Sequence, residues 1–250
     1  MKFLLLITLI TTQYVFALVT IAPVEIGDKP GLSSTIEAAL ETKRGNSDTD
    51  DYKASARTTY DSNESYVAWV EVSGAYGKAN KEENTNKLFS HARYIRAITK
   101  ETIRGELFLQ LQNDEFKEIK SRALGGIGAR FKLHGIWQNS RGFLGLGAFY
   151  EDIVYNNPLL NPSEQNIRAN AYFAYSINFN KSASIAYTLY YQPKVNDFSD
   201  NVQSHEVELK LGIYKNLFLK FALSYDTDSK PPVGVRKYDL TQNTSFVFSF

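Results

Sequence analysis

Between Ile167 and Phe179 the chain sorts its side chains by parity: Ile167, Ala169, Ala171, Phe173, Tyr175, Ile177 and Phe179 on one face, Arg168, Asn170, Tyr172, Ala174, Ser176 and Asn178 on the other. Neighbouring side chains of a strand point to opposite faces, so this pattern predicts one long two-faced strand. The same sorting sets Ile103, Gly105, Leu107, Leu109 and Leu111 against Arg104, Glu106, Phe108, Gln110 and Gln112. It recurs from Glu206 to Ile213 and from Leu217 to Asp226, and again where Phe246, Phe248 and Phe250 oppose Ser245 and Ser249. Apolar residues do not gather at the three-to-four spacing of an amphipathic helix.

Extended along the chain, the pattern predicts twelve strands, at 32–44, 51–61, 65–78, 86–98, 102–113, 121–135, 142–154, 166–179, 182–194, 204–215, 217–227 and 238–250. The fourth has mixed parity around Arg93 to Arg96. Short connections, such as Asn180-Lys181 and Lys215-Asn216, are expected to alternate with longer polar ones at 45–50, 79–84, 114–120, 155–165, 195–203 and 227–237. Such alternation belongs to an even-stranded membrane barrel, with tight turns on one rim and loops on the other. The fold expected is all-β, a single antiparallel transmembrane β-barrel over 32–250.

Strand length separates this reading from a water-soluble sandwich. The predicted strands run to roughly eleven to fourteen residues, against about five or six in soluble sheets, and nine to eleven tilted residues already cross a bilayer. The polar parity carries Arg57, Glu71, Arg104, Glu106, Arg130, Lys132, Arg168, Glu206, Glu208 and Lys210. Inside a barrel these charges require water or ion pairing, because unpaired burial is costly. Tyr52, Tyr60, Tyr66, Tyr76, Tyr94, Tyr150 and Tyr225 lie near strand ends, where an amphipathic ring suits the membrane boundary. Gly125, Gly126, Gly128, Gly142, Gly145 and Gly147 are expected to trim the wall between strands six and seven.

The first residues add an address. Met1-Lys2, the apolar run Phe3 to Ile10 and the small residue Ala17 have the form of a secretory signal peptide, read as 1–17, followed by a segment 18–31 that stays periplasmic or enters the lumen. No later stretch is long and apolar enough for a spanning helix, which leaves a closed barrel as the route through a bilayer.

Composition then excludes several chemistries. The 250 residues contain no cysteine, which removes disulfides, thiolate ligands and cysteine nucleophiles, and only three histidines, His91, His134 and His205. A formal net charge of +1 gives no electrostatic case for nucleic acid. Gly125-Gly126-Ile127-Gly128 lacks the Lys-Ser/Thr of a phosphate loop. Ser204-His205, at a strand start, reads as a pair of rim residues rather than a nucleophile and base, and the oxygen-rich run Asn46 to Asp51 reads as a turn rather than a cation loop. No catalytic residue, metal ligand or cofactor is assigned. The loops at 81–83 and 114–118 are solvated charge at the outer surface, within reach of lipopolysaccharide.

Leu40 to Thr49, with its Glu-Thr-Lys-Arg-Gly-Asn-Ser-Asp core, together with Leu124 to Phe131, Tyr225-Asp226-Thr227-Asp228, Pro231 to Val235, Asp239 and Phe250, resembles the YdiY-like family of salt-induced outer-membrane proteins. The resemblance runs from about Leu32 to Phe250, with 18–31 departing from the simplest pattern. It implies a β-barrel in the Gram-negative outer membrane, in contact with lipid and lipopolysaccharide, and supplies no catalytic residues. It also implies that Phe246, Phe248 and Phe250 form the signal read by the barrel assembly machinery. The functions expected are a narrow or gated channel for ions or small solutes or an envelope stress barrel, with a structural or surface-interaction barrel and an outer-membrane hydrolase as alternatives.

Overall fold

The computed structural model describes residues 24–43, 49–99, 102–133 and 139–250. The expected leader, the oxygen-rich run up to Asp48 and His134 lie outside the described residues. Twelve strands follow one another: β1 (Gly31–Lys43), β2 (Thr49–Asp61), β3 (Tyr66–Ala79), β4 (Glu82–Ala97), β5 (Ile103–Asp114), β6 (Ile119–Leu133), β7 (Ser140–Tyr155), β8 (Glu164–Asn180), β9 (Ala183–Lys194), β10 (Asp197–Tyr214), β11 (Leu217–Asp228) and β12 (Tyr238–Ser249). Each pairs antiparallel with its sequence neighbours, and β12 returns to β1, so the sheet is a closed barrel. We call the rim where β1 begins and β12 ends proximal, and the other distal.

Closure settles the backbone hydrogen bonds, and parity settles the faces. Leu109, Leu111, Ile127, Leu146, Ile167 and Phe246 are all more than half exposed on the outer wall. A continuous apolar exterior on a closed barrel is stable only against hydrocarbon, and such a barrel is of the outer-membrane kind. Among the described residues no helix is long and apolar enough to cross a membrane. Aromatic rings mark both edges of the apolar band. Tyr52 and Tyr76 face each other across β2 and β3 distally, and Tyr60, Tyr66 and Tyr94 run side by side proximally with centroids 5.9 and 5.4 Å apart.

Two expected loops are corrected. The connection expected at 79–84 is the two-residue turn Asn80-Lys81, with both φ positive at 52° and 72°, which suits the twist of a tight hairpin. The connection expected at 195–203 is also only two residues, because β10 begins at Asp197 rather than near 204. In both places the strands continue past the apolar band, where water meets both faces and alternation is no longer enforced. The mixed parity of β4 also resolves: Arg93 points inward and buried, Arg96 outward and exposed.

The glycines of β6 and β7 make room for inward rings. A Cβ on Gly126 would overlap the Phe108 ring and come within 2.6 Å of Phe149, and one on Gly145 would overlap the Tyr172 ring. Their absent side chains are what lets inward aromatics fill the β5 to β9 side, where Phe143, Tyr172, Ala174 and Tyr190 form one buried cluster and Phe108, Leu124 and Phe149 another. Gly126→Val is expected to destabilise the barrel by about 1–3 kcal/mol through overpacking. Gly74→Ala, whose Cβ would have 3.8 Å of clearance, is expected to be near neutral. Urea unfolding in micelles measures both.

Candidate functional site: the barrel interior

Access to the interior is decided first by residues 24–30, ahead of β1. The Gly27 N–H donates to both Asp61 carboxylate oxygens at 3.0 and 2.9 Å, and the Lys29 N–H donates to one at 3.2 Å. Gly27 has φ +89°, and a Cβ there would lie 2.9 Å from the Asn63 carbonyl oxygen, so the turn requires glycine. Val24 and Ile26 pack on the buried Val67, Trp69 and Ile95. Glu25 binds Arg104 at 3.3 Å and Lys132 at 3.0 Å, Asp28 pairs with Arg141, and Arg130 donates to the Val24 carbonyl at 2.5 Å. Those partners stand on β5, β6 and β7, and β7 is diametrically opposite β1 in a ring of twelve. The segment therefore crosses the proximal mouth.

Burial alone would raise the Glu25 carboxyl, but the hydrogen bond and charge of Lys132, with Arg130 and Arg104 behind it, hold it below its ordinary value. Glu25 is therefore ionised at neutral pH.

Above it, Arg93 is surrounded by rings, with its guanidinium 5.8, 5.4 and 5.9 Å from the centroids of Trp69, Phe108 and Tyr172. Arg130 lies 4.1 Å over Phe143 and 3.6 Å from Glu106, and Glu106 accepts from the Tyr172 hydroxyl at 2.8 Å. Cation–π contacts of this desolvated kind contribute roughly 1–2 kcal/mol each. They let cationic side chains pack in a filled interior without a matching carboxylate for every one.

Distally, Glu151 is fully buried between two arginines, accepting from Arg122 at 2.6 Å and Arg168 at 2.5 Å. Arg168 reaches on to Asp200 at 3.0 Å, and Lys194 joins Asp200 at 2.8 Å and Glu164 at 2.7 Å. This chain ties β6 to β10. The connection between β11 and β12 leans over the same region: the Val233 N–H donates to Asn161 at 2.7 Å and Lys230 pairs with Asp197 at 2.5 Å. A cavity of about 80 Å³ lies beneath it.

The other side of the barrel is open space. A cavity of about 260 Å³ is lined from β10 and β11 by Glu206, Glu208, Lys210 and Lys220, and from β2 and β3 by Arg57 and Glu71. Arg57 and Glu71 pair at 2.5 Å, Lys220 pairs with Glu37, Glu206 accepts from Ser224 at 2.9 Å, and Lys210 lies 4.2 Å over Phe218. Both signs of charge face the cavity, and both cavities touch Gln112 and Asp226.

The ten charged residues singled out by parity all stand on inward positions, in three groups. Arg57, Glu71, Glu206, Glu208 and Lys210 meet at the larger cavity, Arg104, Glu106, Arg130 and Lys132 gather around the mouth segment, and Arg168 belongs to the distal network. Glu25, Glu37, Arg93, Glu151, Asp200 and Lys220 were missed. For Glu37, Arg93, Glu151 and Lys220 inward parity was the available signal, whereas Asp200 falls in a stretch expected as a loop. Ser204 and His205 are corrected as a rim pair: Ser204 is buried inside, while His205 faces outward and bonds the Tyr187 hydroxyl at 3.0 Å. Opposite faces rule these two out as nucleophile and base.

Residues 36–250 match the family described as "Protein of unknown function, DUF481". The chain belongs to this family. A search of curated proteins returns no match. Among solved structures, the COG4313 outer membrane channel from Pseudomonas putida F1 is similar in fold, with a TM-score of 0.57 at 11% identity over 92% of this chain and 100% of that one. A KdgM porin in complex with disordered oligogalacturonate gives 0.47 at 12% identity over 87% and 96%. The translocator domain of the autotransporter NalP from Neisseria meningitidis gives 0.47 at 11% identity over 89% and 88%.

Within this DUF481 barrel the Glu151 node is the most sensitive point of the charge network. Glu151→Ala leaves two buried guanidiniums short of their shared carboxylate and is expected to cost about 3–5 kcal/mol. Ala at Lys230, whose side chain is half exposed, is expected to cost less than about 1 kcal/mol. Unfolding midpoints in urea compare the two.

Proposed function

We propose that this outer-membrane barrel is a narrow, gated channel for ions or small solutes, and that its gate is the segment at 24–30. The observation that carries the reading is a charged cavity of about 260 Å³ within a barrel whose proximal mouth is crossed by a short segment held by ion pairs, hydrogen bonds to Asp61 and apolar packing of Val24 and Ile26. Charged walls of both signs suit hydrated ions and small polar solutes, and low-dielectric surroundings focus their field. A gate fixed by a few carboxylate contacts can be released by a small change in free energy. The distal network supports this division of labour, since it stiffens the strands that stay in place.

A structural role is the second reading, and the aromatic filling of the β5 to β9 side favours it. The outward Phe246, Phe248 and Phe250 fit either role, as apolar groups offered to lipid and to the assembly machinery. An envelope-stress role would be served by a pathway that opens only when the latch is weakened.

Conductance across planar bilayers tests the proposal. The full chain is expected to show little current at neutral pH, and Glu25→Gln with Asp28→Asn to shift the balance toward open by on the order of 1.4 kcal/mol, about tenfold in open probability. No current from either protein at any salt or voltage would remove the channel reading.

Acid tests the latch separately. Because folding lowers the Glu25 pKa, its contribution is complete above the ordinary carboxylate value of 4.5 and is lost as pH falls through the lower folded value. Opening is expected to rise below about pH 4.5, and Glu25→Gln to abolish that rise.

A further inference from the structure

Charge on the wall of the larger cavity is sorted rather than mixed. Lys210 of β10 stands directly opposite Lys220 of β11, and like charges in that arrangement repel. Lys220 is met by Glu37. Lys210 lies over the Phe218 ring at 4.2 Å and, among the described residues, has no carboxylate within ion-pair distance. On the other side of the β1–β12 junction, Lys53 of β2 and Lys87 of β4 flank Ala75 of β3 in register. All four lysines line the cavity.

The acids on β10 and β11 gather on the distal side of the Lys210 and Lys220 pair. Glu208 and then Glu206 follow Lys210 along the inward face of β10, at about 7 Å per step, and Asp226 lies beyond them on β11. The one cation within ion-pair range of Glu208 among the described residues is Lys220, at 4.0 Å, and Glu37 holds that lysine more closely. The residue directly opposite Glu208 is Ala222, whose small side chain leaves room beside the carboxylate. The other charges around the cavity are matched locally: Arg57 pairs with Glu71, and Asp114 stands opposite Lys87. A loosely held cation and a loosely held anion therefore stand one inward step apart on a single strand.

We propose that the cavity is a binding site for small zwitterions, with the acidic group held by Lys210 beside Lys220 and the ammonium group by Glu208 and Glu206. A solute with negative charge alone meets Glu208 next to Lys210, and one with positive charge alone meets two lysines. A solute with both can satisfy both, and charge-assisted contacts of this kind are the strong ones. Ala39, Ala75 and Ala222 offer apolar wall to a short carbon skeleton, and about 260 Å³ is room for a small molecule. The way in for such a solute rests on the channel reading; its binding is measured apart from any current.

Calorimetric titration of the full-length protein in micelles tests the site with 4-aminobutyrate, butyrate and butylamine, the last two each keeping one of the charged ends of the first. The zwitterion is expected to bind about tenfold more tightly than either, one charge-assisted contact being lost in each control. Lys210→Met is expected to bring its affinity down to that of butylamine, and Glu208→Gln to that of butyrate. Equal affinities for the three probes in the unsubstituted protein would overturn the proposal, as would a preference that survives both substitutions. Efflux of the same probes from liposomes keeps the two readings apart. Selective binding without efflux would leave the site standing and remove the channel, whereas efflux of all three at one rate, with equal binding, would leave the channel and remove the site.

Discussion

Hydrocarbon offers no hydrogen bonds, and that one constraint organises the molecule. Each peptide group crossing the bilayer has to find its partner on an adjacent strand, so the sheet must close. Once it closes, the two faces of every strand see different media, and one parity becomes apolar while the other is free to carry charge.

Closure creates a second problem, an interior that must be neither empty nor studded with isolated charge. The chain meets it differently on its two sides. From β5 to β9, glycine beside phenylalanine or tyrosine lets rings interlock across the wall, and arginines rest on those rings. From β10 round to β3 the inward residues are smaller or longer and charged, and they leave a cavity between them. The result is a barrel with a packed side and a wet side, crossed at one mouth by its own N-terminal segment.

How legible this was in the sequence follows from the same physics. Strand number and inward parity could be read because lipid enforces a period of two for as long as a strand is immersed. Beyond the bilayer that enforcement ends, which is why the early start of β10 at Asp197 and the tight Asn80-Lys81 turn were misread as loops. Partner choice was not legible. Glu151 meets Arg122 and Arg168 because of the stagger between β6, β7 and β8, and no local pattern announces that Glu25 will cross the mouth to Arg104 and Lys132. The glycines showed that backbones or rings approach closely but not which rings would fill the space.

Thiol labelling of the refolded protein separates the packed side of the interior from the wet side. Ser73 lines the cavity and Ala174 sits in the aromatic cluster, both on inward positions. With Ser73→Cys and Ala174→Cys made singly and exposed to a small water-soluble thiol reagent, the first is expected to react readily and the second to stay protected until the barrel is unfolded. Equal labelling rates at the two positions would contradict it.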